Sequence, residues 1–187
     1  MPYNSIIHHR RSIRLRGYDY ARPGAYFVTL CAKNRECLFG KIVEGKMQLN
    51  EMGRIVASCW EWLAEQYGYV ELDEWVVMPN HLHGIIVVNS GDAAAGRGAS
   101  RRAPTKPQHV MSIPNKIKPL GQLIGAFKIV STPRINEFRG TPGMGIWQRN
   151  YHEHIIRDID ELNRIRAYIT ANPEQWDFDR ENPSSKR

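Results

Sequence analysis

The sequence predicts an α+β fold, an antiparallel sheet with helices packed on one face. Segments with strand and helix periodicity follow one another in the order β, α, β, β, α, β, α, which is typical of such a fold. The chain has 187 residues, 42% of them hydrophobic and 24% charged, as in an ordinary globular domain. We therefore predict a single domain over residues 1–187, with a basic N-terminal arm at 1–22 and a flexible insertion at 90–116.

The first half of the chain contains three predicted strands and one predicted helix. "GAYFVTLCAKNRECLFG", residues 24–40, alternates aromatic and β-branched residues and indicates a strand that turns at residues 33–35 into a hairpin. Asn50 is a candidate N-cap for "EMGRIVASCWEWLAEQY", whose apolar residues recur at helical spacing. "ELDEWVVM" and "HLHGIIVV" follow as two strands, joined by the Pro-Asn turn dipeptide at 79–80.

The second half begins with the insertion at 90–116, which is rich in Gly, Ala and Pro and has few large apolar residues. "PLGQLIGAFKIVSTPRINEF" has a helical pattern in its first part, and "GTPGMG" is a turn cluster. "IWQRNYHEHIIR" indicates a short extended segment. A last helix is expected to begin near Asp158 and to end before Pro173, because proline cannot continue a helix.

The chain is basic, with a net charge of +7 and a pI near 9.5. The excess is concentrated in residues 1–22, which hold five arginines and one aspartate, and in the insertion with the "PNKIKP" segment. Such clustering favours a polyanionic partner such as nucleic acid. A solvated basic surface is an equally good explanation of the charge alone.

The lack of a recognisable membrane or secretory signal and the pattern of the cysteines favour a cytoplasmic protein with no membrane partner. No apolar run approaches the roughly 20 residues that a transmembrane helix needs. The N-terminus lacks the apolar stretch of a secretory signal. Cys31, Cys37 and Cys59 are odd in number and lack metal-type spacing, so we expect reduced thiols.

Two histidines in the predicted strand "HLHGIIVV" form a candidate metal site. His81 and His83 are two residues apart, so on a strand they project to the same side and can share one divalent ion. The alternative is a pair of hydrogen-bonded core histidines. His152 and His154 repeat the spacing further along the chain. No cysteine motif accompanies either pair, which argues against a structural zinc site.

The last predicted helix carries Tyr168 and Asn172, which are four residues apart and therefore share a helical face. The amide oxygen is a candidate third ligand, and the phenol beside it could reach a substrate of the same ion. The alternative is that Tyr168 is a packing aromatic and Asn172 a helix C-terminal residue. From these residues alone, the alternative is favoured.

Two segments together resemble a known family. "WVVMPNHLHGIIVV" is similar to the His-hydrophobe-His motif of HUH single-tyrosine transposases of bacterial insertion sequences. "GIWQRNYHEHIIRDIDELNRIRAYITANPEQW" resembles the C-terminal signature of the REP-associated tyrosine transposases, a branch tied to repeated extragenic palindromes. The resemblance covers roughly residues 15–178 without the insertion. It implies the HUH endonuclease domain, a ferredoxin-like antiparallel sheet with the histidine strand at its centre.

The resemblance also implies roles for individual residues. His81 and His83 match the metal ligands, and Asn172 occupies the place of the third ligand, where some relatives have glutamine. Tyr168 matches the nucleophile. An amide and two imidazoles without thiolate suit Mg²⁺ or Mn²⁺ as cofactor. His154 matches a histidine of the signature and is expected to support the site or contact DNA.

A second candidate nucleophile is Tyr151, although its i+4 position holds Ile155 instead of a polar partner. Trp147 and Tyr151 are also candidates for stacking on bases, with core packing at least as good an explanation for Trp147. Phosphate contacts are expected from basic residues of the arm and of the helix after the insertion. The complete set of predicted DNA-binding residues is Arg10, Arg11, Arg14, Arg16, Lys128, Arg134 and His154.

The activity that the resemblance implies is cleavage and rejoining of single-stranded DNA at REP-type palindromic hairpins. The product would be a 5′-phosphotyrosine link with a free 3′-hydroxyl. Two other functions are compatible with parts of the sequence: a domesticated hairpin-binding protein that does not cut, and a metal-dependent nuclease that hydrolyses through water. Both a monomer and a homodimer remain open.

Overall fold

The computed structural model describes Leu15, residues 17–90 and residues 117–185. Most of the predicted arm and of the insertion at 90–116 lies outside these residues, so the single domain over 1–187 stays a prediction. Four predicted DNA-binding residues also lie outside the described residues: Arg10, Arg11, Arg14 and Arg16.

Six strands and three α-helices make up the described fold. In chain order they are β1 (Gly24–Cys31), β2 (Gly40–Val43), β3 (Lys46–Leu49), α1 (Glu51–Gln66), β4 (Val70–Val77), β5 (His81–Val88), α2 (Leu120–Arg139), β6 (His152–Ile156) and α3 (Ile159–Ala171). Four strands form an antiparallel sheet in the order β4-β5-β1-β6, and β2 and β3 form a separate hairpin. The predicted α+β class is confirmed.

The register of the sheet places the histidine strand in its interior. β1 pairs with β5 along its whole length, from Gly24 opposite Val88 to Cys31 opposite His81. β4 pairs with the other edge of β5, and β6 pairs with the free edge of β1. Since β5 has partners on both sides, both imidazoles are carried by a strand whose backbone is fixed along its length.

The prediction that β1 turns into a hairpin at residues 33–35 is wrong. Those residues form a 3₁₀ turn in which Asn34 and Arg35 have positive φ angles of 59° and 56°. Both edges of β1 are occupied by β5 and β6, so the segment after the turn cannot pair with it. The local hairpin is instead β2–β3, closed at Glu44 and Gly45 with φ angles of 49° and 70°, the backbone that a tight two-residue hairpin turn requires.

The helices begin where the sequence indicates. The side chains of Asn50 and Asp158 accept hydrogen bonds from the third residue of α1 and α3, at 3.0 and 2.8 Å. α2 continues through Pro133 to Arg139 and ends at Gly140, whose φ of 65° is the left-handed conformation of a helix C-cap. Within the described part of the chain, no helix is long and apolar enough to cross a lipid bilayer.

The two faces of β5 meet different helices. Its residues Leu82 and Ile86 belong to the hydrophobic core, together with Trp60 of α1 and Phe127 of α2. The histidine face lies opposite, and α3 packs over it. The prediction that the helices pack on one face therefore holds for α1 and α2, whereas α3 lies on the other face. Its tyrosine and the buried histidines can meet only there.

Gly84 lies between the two layers and has no room for a side chain. A Cβ atom there would lie 2.6 Å from Cζ2 of Trp60 and 3.2 Å from Cβ of Trp75. We expect Gly84→Ala to lower the free energy of unfolding by about 1–3 kcal/mol, because the indole would have to move within a packed core. Urea unfolding followed by circular dichroism measures this loss.

Gly125→Ala in α2 is the matched control, since a Cβ there meets nothing within 4 Å. It should raise the free energy of unfolding by about 0.5–1 kcal/mol, because alanine restricts the unfolded chain and suits a helix. Equal effects of the two substitutions would contradict the packing assigned to Gly84.

Candidate active site

Two buried imidazoles form the centre of the candidate site. The rings of His81 and His83 have centroids 4.4 Å apart, and the two residues are 0% and 3% exposed. Burial lowers the pKa of His81 to about 4, opposed by the negative charges of Asp179 and Glu181. Burial also lowers the pKa of His83 well below its usual value, with His81 adding to the effect. Both rings are therefore neutral at pH 7, the form that binds a metal ion.

The Nδ1 atom of each ring has a hydrogen-bond partner. Nδ1 of His81 lies 2.8 Å from Oδ1 of Asn80, and Nδ1 of His83 lies 2.8 Å from the Thr29 hydroxyl. Such contacts fix the ring orientation of metal-binding histidines. They leave the Nε2 atoms to face the site. Nε2 of His81 is buried and has no hydrogen-bond partner.

Tyr168 of α3 meets the second histidine. Its hydroxyl lies 3.2 Å from Nε2 of His83, and its ring packs edge-on against Phe27 with centroids 6.1 Å apart. The residue is 44% exposed, so a substrate can reach it. Burial raises the pKa of Tyr168 to about 12, and the charges of Asp179 and Glu181 add to this effect. The phenol is protonated at neutral pH and must lose its proton to act as a nucleophile.

Asn172 and Asp179 complete the centre. Asn172 is 2% exposed, its Nδ2 donates to Oδ2 of Asp179 at 2.9 Å, and its Oδ1 is buried without a hydrogen-bond partner. One ligand atom each from His81, His83 and Asp179 lie within 4.8 Å of one another. Sequence reasoning missed Asp179, because it lies just beyond the signature and no regular spacing connects it to the histidines.

The donor atoms fit a divalent cation. Two imidazole nitrogens and a carboxylate converge, Asn172 is hydrogen-bonded to that carboxylate, and among the described residues His81 and Asn172 each have a buried atom without a partner. A buried polar atom without a hydrogen bond is costly, and a bound ion would satisfy both orphaned atoms. Nitrogen and oxygen ligands without thiolate suit Mg²⁺ or Mn²⁺.

An ion pair anchors the tyrosine helix to the sheet. Nε and Nη2 of Arg166 donate to the two carboxylate oxygens of Asp73 in β4, the first at 2.7 Å. The Thr170 hydroxyl lies 3.4 Å from the Glu74 carboxylate one residue further along β4. Arg166 and Thr170 flank Tyr168 in α3. Their contacts with β4 therefore fix the position and rotation of the helix over the sheet, and with them the place where the phenol meets His83.

A cleft opens beside Tyr168 and His83. Its lining combines charged side chains of both signs with aromatic rings. The residues around it include Phe27, Thr29, Cys31, Arg35, Gln148, Asn150, Tyr151, His152, Asp179, Arg180 and Glu181. A second, shallower groove on the other side of Tyr168 is lined by His152, His154, Glu161 and Arg164. The tyrosine therefore lies between two openings.

The alternative nucleophile Tyr151 lies in the same cleft. The Lys128 ammonium lies 5.7 Å from the centre of its ring. That ammonium donates to the backbone carbonyls of Gln148 and Asn150 at 2.7 and 3.3 Å, and burial lowers the pKa of Lys128 to about 8. Lys128 thus holds the backbone that forms this wall of the cleft. Its predicted phosphate contact would have to compete with these carbonyls.

The remaining predicted residues lie further from the centre. Arg134 contacts the Cys59 thiol of α1 at 3.7 Å, in the helical layer behind the sheet. Nε2 of His154 lies 2.7 Å from the Glu161 carboxylate at the start of α3. Trp147 is buried and its indole N–H donates to the Ser131 hydroxyl at 2.9 Å, which makes it a core residue. DNA contacts by Arg134 and His154 stay predictions.

Two Haemophilus influenzae proteins are similar to most of the chain, and one of them carries a transposase name. No family model matches the chain. An uncharacterised Haemophilus influenzae protein is 43% identical over 180 residues, which is 95% of each chain. Another protein of that organism, named "Putative REP-associated tyrosine transposase", is 24% identical over 155 residues, 83% of this chain and 73% of that one.

A solved REP-associated tyrosine transposase, bound to a REP hairpin, has the same fold. It superposes with a TM-score of 0.56 at 19% identity, covering 88% of this chain and 74% of the other. The predicted fold class, an HUH-type antiparallel sheet with helices, is therefore confirmed.

The Arg166–Asp73 pair should contribute to stability in a pH-dependent way. The hydrogen bonds from Arg166 lower the pKa of Asp73, so the unfolded chain binds a proton more readily than the folded one. The contribution is therefore present above the unfolded carboxyl pKa of about 3.9 and is lost as the pH falls through the lower folded value. We expect Asp73→Asn to cost about 1 kcal/mol at pH 7, since the guanidinium is partly exposed.

Urea unfolding at pH 7 and at pH 3 measures this effect in a double-mutant cycle with Arg166→Gln. The double variant should cost little more than either single one at pH 7, and the coupling should fade at pH 3. Additive effects at pH 7 would show that the pair does not anchor α3.

Proposed function

We propose that this chain is a REP-associated tyrosine transposase that cuts and rejoins single-stranded DNA at palindromic hairpins, a proposal supported by the relative and the solved structure of that name. The observation that carries this proposal is the placement of the Tyr168 hydroxyl 3.2 Å from His83. That histidine is one of three residues whose ligand atoms cluster within 4.8 Å. A nucleophile next to a cation site is the arrangement that phosphodiester transfer requires.

The substrate class follows from the relatives and from the charge. The solved relative is bound to a REP hairpin, and this chain has a net charge of +7. Arg35 and Arg180 lie on one side of the tyrosine, and Arg164 lies on the other. A strand that passes over Tyr168 would meet cationic side chains before and after the scissile phosphate. Such contacts position a backbone without reading its sequence.

The cofactor we propose is Mg²⁺ or Mn²⁺, held by His81, His83 and Asp179, with Asn172 as a further ligand. What the bound ion supplies is polarisation of the scissile phosphate and compensation of the negative charge in the transition state. Asp179 is a candidate ligand outside the sequence motif, and its hydrogen bond from Nδ2 of Asn172 holds the amide beside the cluster.

The reaction we propose begins with attack by Tyr168. Its phenolic oxygen forms a bond to phosphorus, the bond from phosphorus to the 3′ oxygen breaks, and the departing strand ends in a 3′-hydroxyl. The phenol's proton passes to water in the open cleft, and the 3′ oxygen takes a proton in turn. The 5′-phosphotyrosine retains the phosphodiester bond, so the 3′-hydroxyl of another strand can attack it and release Tyr168. No nucleotide cofactor is needed for rejoining.

The first test uses single-stranded hairpin oligonucleotides taken from repeats near the encoding gene, incubated with Mn²⁺ or Mg²⁺. We expect a covalent protein–DNA band on a denaturing gel that depends on the metal. Tyr168→Phe should abolish this band, because it removes the nucleophilic oxygen and keeps the ring packed on Phe27. His81→Ala should reduce it by at least about 100-fold, since a metal ligand is lost.

Tyr151→Phe is the matched control, because it removes a hydroxyl from the same cleft. A band that survives Tyr168→Phe and disappears in Tyr151→Phe would make Tyr151 the nucleophile. If no covalent band forms and DNA cleavage persists in both variants, the protein is a nuclease that uses water. Tight hairpin binding with neither band nor cleavage would favour a binding protein without enzymatic activity.

The predicted basic arm should determine the salt dependence of binding. If about five phosphates of a single strand are neutralised, log K should fall against log salt with a slope of roughly −3.5. Replacing Arg10, Arg11, Arg14 and Arg16 by glutamine should make the slope shallower by up to about 2.8, the value expected if each of these arginines neutralises one phosphate. Fluorescence anisotropy of a labelled hairpin at several salt concentrations measures the slope for the wild-type protein and for the variant. An unchanged slope would remove these arginines from the DNA interface.

A further inference from the structure

Asn80 is a fully buried polar residue in the turn between β4 and β5, directly before the first histidine. Its Nδ2 donates to the backbone carbonyls of Arg35 at 3.0 Å and of Glu181 at 2.7 Å. Its Oδ1 lies 2.8 Å from Nδ1 of His81. The backbone carbonyl of Asn80 accepts from the N–H of Ala32 at 2.7 Å, so the main chain is fixed as well. Both ends of the side-chain amide therefore have defined partners.

These contacts determine which nitrogen of His81 carries the hydrogen. Both partners of Nδ2 are carbonyl oxygens, which only accept, so the amide nitrogen must occupy that side. The opposite amide orientation would place two carbonyls against an oxygen. The amide oxygen therefore faces His81, and it too can only accept. Nδ1 of His81 must donate, and a neutral imidazole has only one N–H, so Nε2 presents a lone pair.

The second histidine is not constrained in this way. Nδ1 of His83 meets the Thr29 hydroxyl, which can donate or accept, and Nε2 meets the Tyr168 hydroxyl, which can do the same. Either tautomer of His83 is compatible with its partners. Asn80 thus acts on His81 alone, whose Nε2 is the buried ring nitrogen without a partner.

The same amide also fixes the segment that follows α3. Its bond to the carbonyl of Glu181 holds the backbone two residues after Asp179, the carboxylate of the cation cluster. Arg35, whose carbonyl is the other acceptor, forms an ion pair with the Glu181 carboxylate at 3.2 Å. One buried side chain therefore connects the histidine strand, the turn after β1 and the C-terminal segment.

We propose that Asn80 is the positioning residue of the metal centre: it holds His81 in the tautomer whose Nε2 can bind an ion, and it fixes the segment that carries Asp179. The proposal rests on the metal-dependent function proposed above, although the tautomer itself exists without metal. Removing Asn80 would allow the N–H of His81 to move to Nε2, where it blocks a ligand position. It would also remove the donor to the carbonyls of Arg35 and Glu181.

The test combines two measurements on the full chain. ¹⁵N NMR of the imidazole nitrogens, in the metal-free protein at pH 7, reports the tautomer of His81, which is assigned with His81→Ala. Titration with Mn²⁺, followed by electron paramagnetic resonance, reports affinity without any DNA. We expect His81 to be protonated at Nδ1 in the wild-type protein. Asn80→Ala should give a mixture of both tautomers and weaken Mn²⁺ binding by about tenfold or more.

Asn136→Ala is the matched control. Asn136 is also a buried asparagine that donates to a carbonyl, that of Met144 at 2.7 Å, and accepts from the Thr141 hydroxyl at 3.3 Å, but it lies in α2 behind the sheet. Asn136→Ala should lower the stability of the protein and leave both the tautomer of His81 and the affinity for Mn²⁺ unchanged. If Asn80→Ala does not fold, the tautomer of His81 in the wild-type protein still tests the proposal, because a hydrogen on Nε2 would contradict it.

Three results would overturn the proposal: a wild-type His81 protonated at Nε2, an unchanged tautomer and affinity in Asn80→Ala, or equal losses of affinity in Asn80→Ala and Asn136→Ala. Failure of the proposed metal function gives a different result. The wild-type protein would then bind no Mn²⁺, or bind it equally well in His81→Ala, while the Nδ1 hydrogen of His81 is still observed.

Discussion

The position of β5 between β1 and β4 is the constraint on which the rest of the site depends. A strand paired on both sides has a fixed backbone, and the histidine face of β5 is covered by α3 and the segment after it, so His81 and His83 are buried there. Buried imidazoles need hydrogen-bond partners, and Thr29 and Asn80 supply them at the two Nδ1 atoms. What remains on the open side is a pair of ring nitrogens facing the same point.

The tyrosine and the carboxylate come to that point from outside the sheet. α3 lies on the histidine face because Arg166 binds Asp73 of β4, and this fixes where Tyr168 reaches the cleft. The chain then folds back, and Asp179 arrives beside Asn172 and both histidines. The negative charges that suit a cation also raise the pKa of Tyr168, so the same groups keep the phenol protonated. Binding a cation would offset that charge and make the phenol more acidic.

The positive charge of the chain serves two different purposes. The ammonium of Lys128 is committed to the carbonyls of residues 148–150 and so shapes a wall of the cleft. Arg166 is committed to Asp73. Composition counts such cations together with those available to DNA, although a cation that already has several acceptors has little free capacity for a phosphate. Arg164 and Arg180 at the two openings, together with the predicted arm, are the better candidates for holding a strand.

The sequence by itself determined the elements that depend on neighbouring residues: the helix starts at Asn50 and Asp158, the periodicity of α1 and of the first part of α2, and the shared face of His81 and His83. With the family resemblance it also indicated Tyr168 and Asn172. Only the tertiary structure decided the partners of β1, the face occupied by α3, the inclusion of Asp179 and the internal role of Lys128. These depend on contacts between residues far apart in the chain, which local propensity and spacing do not encode.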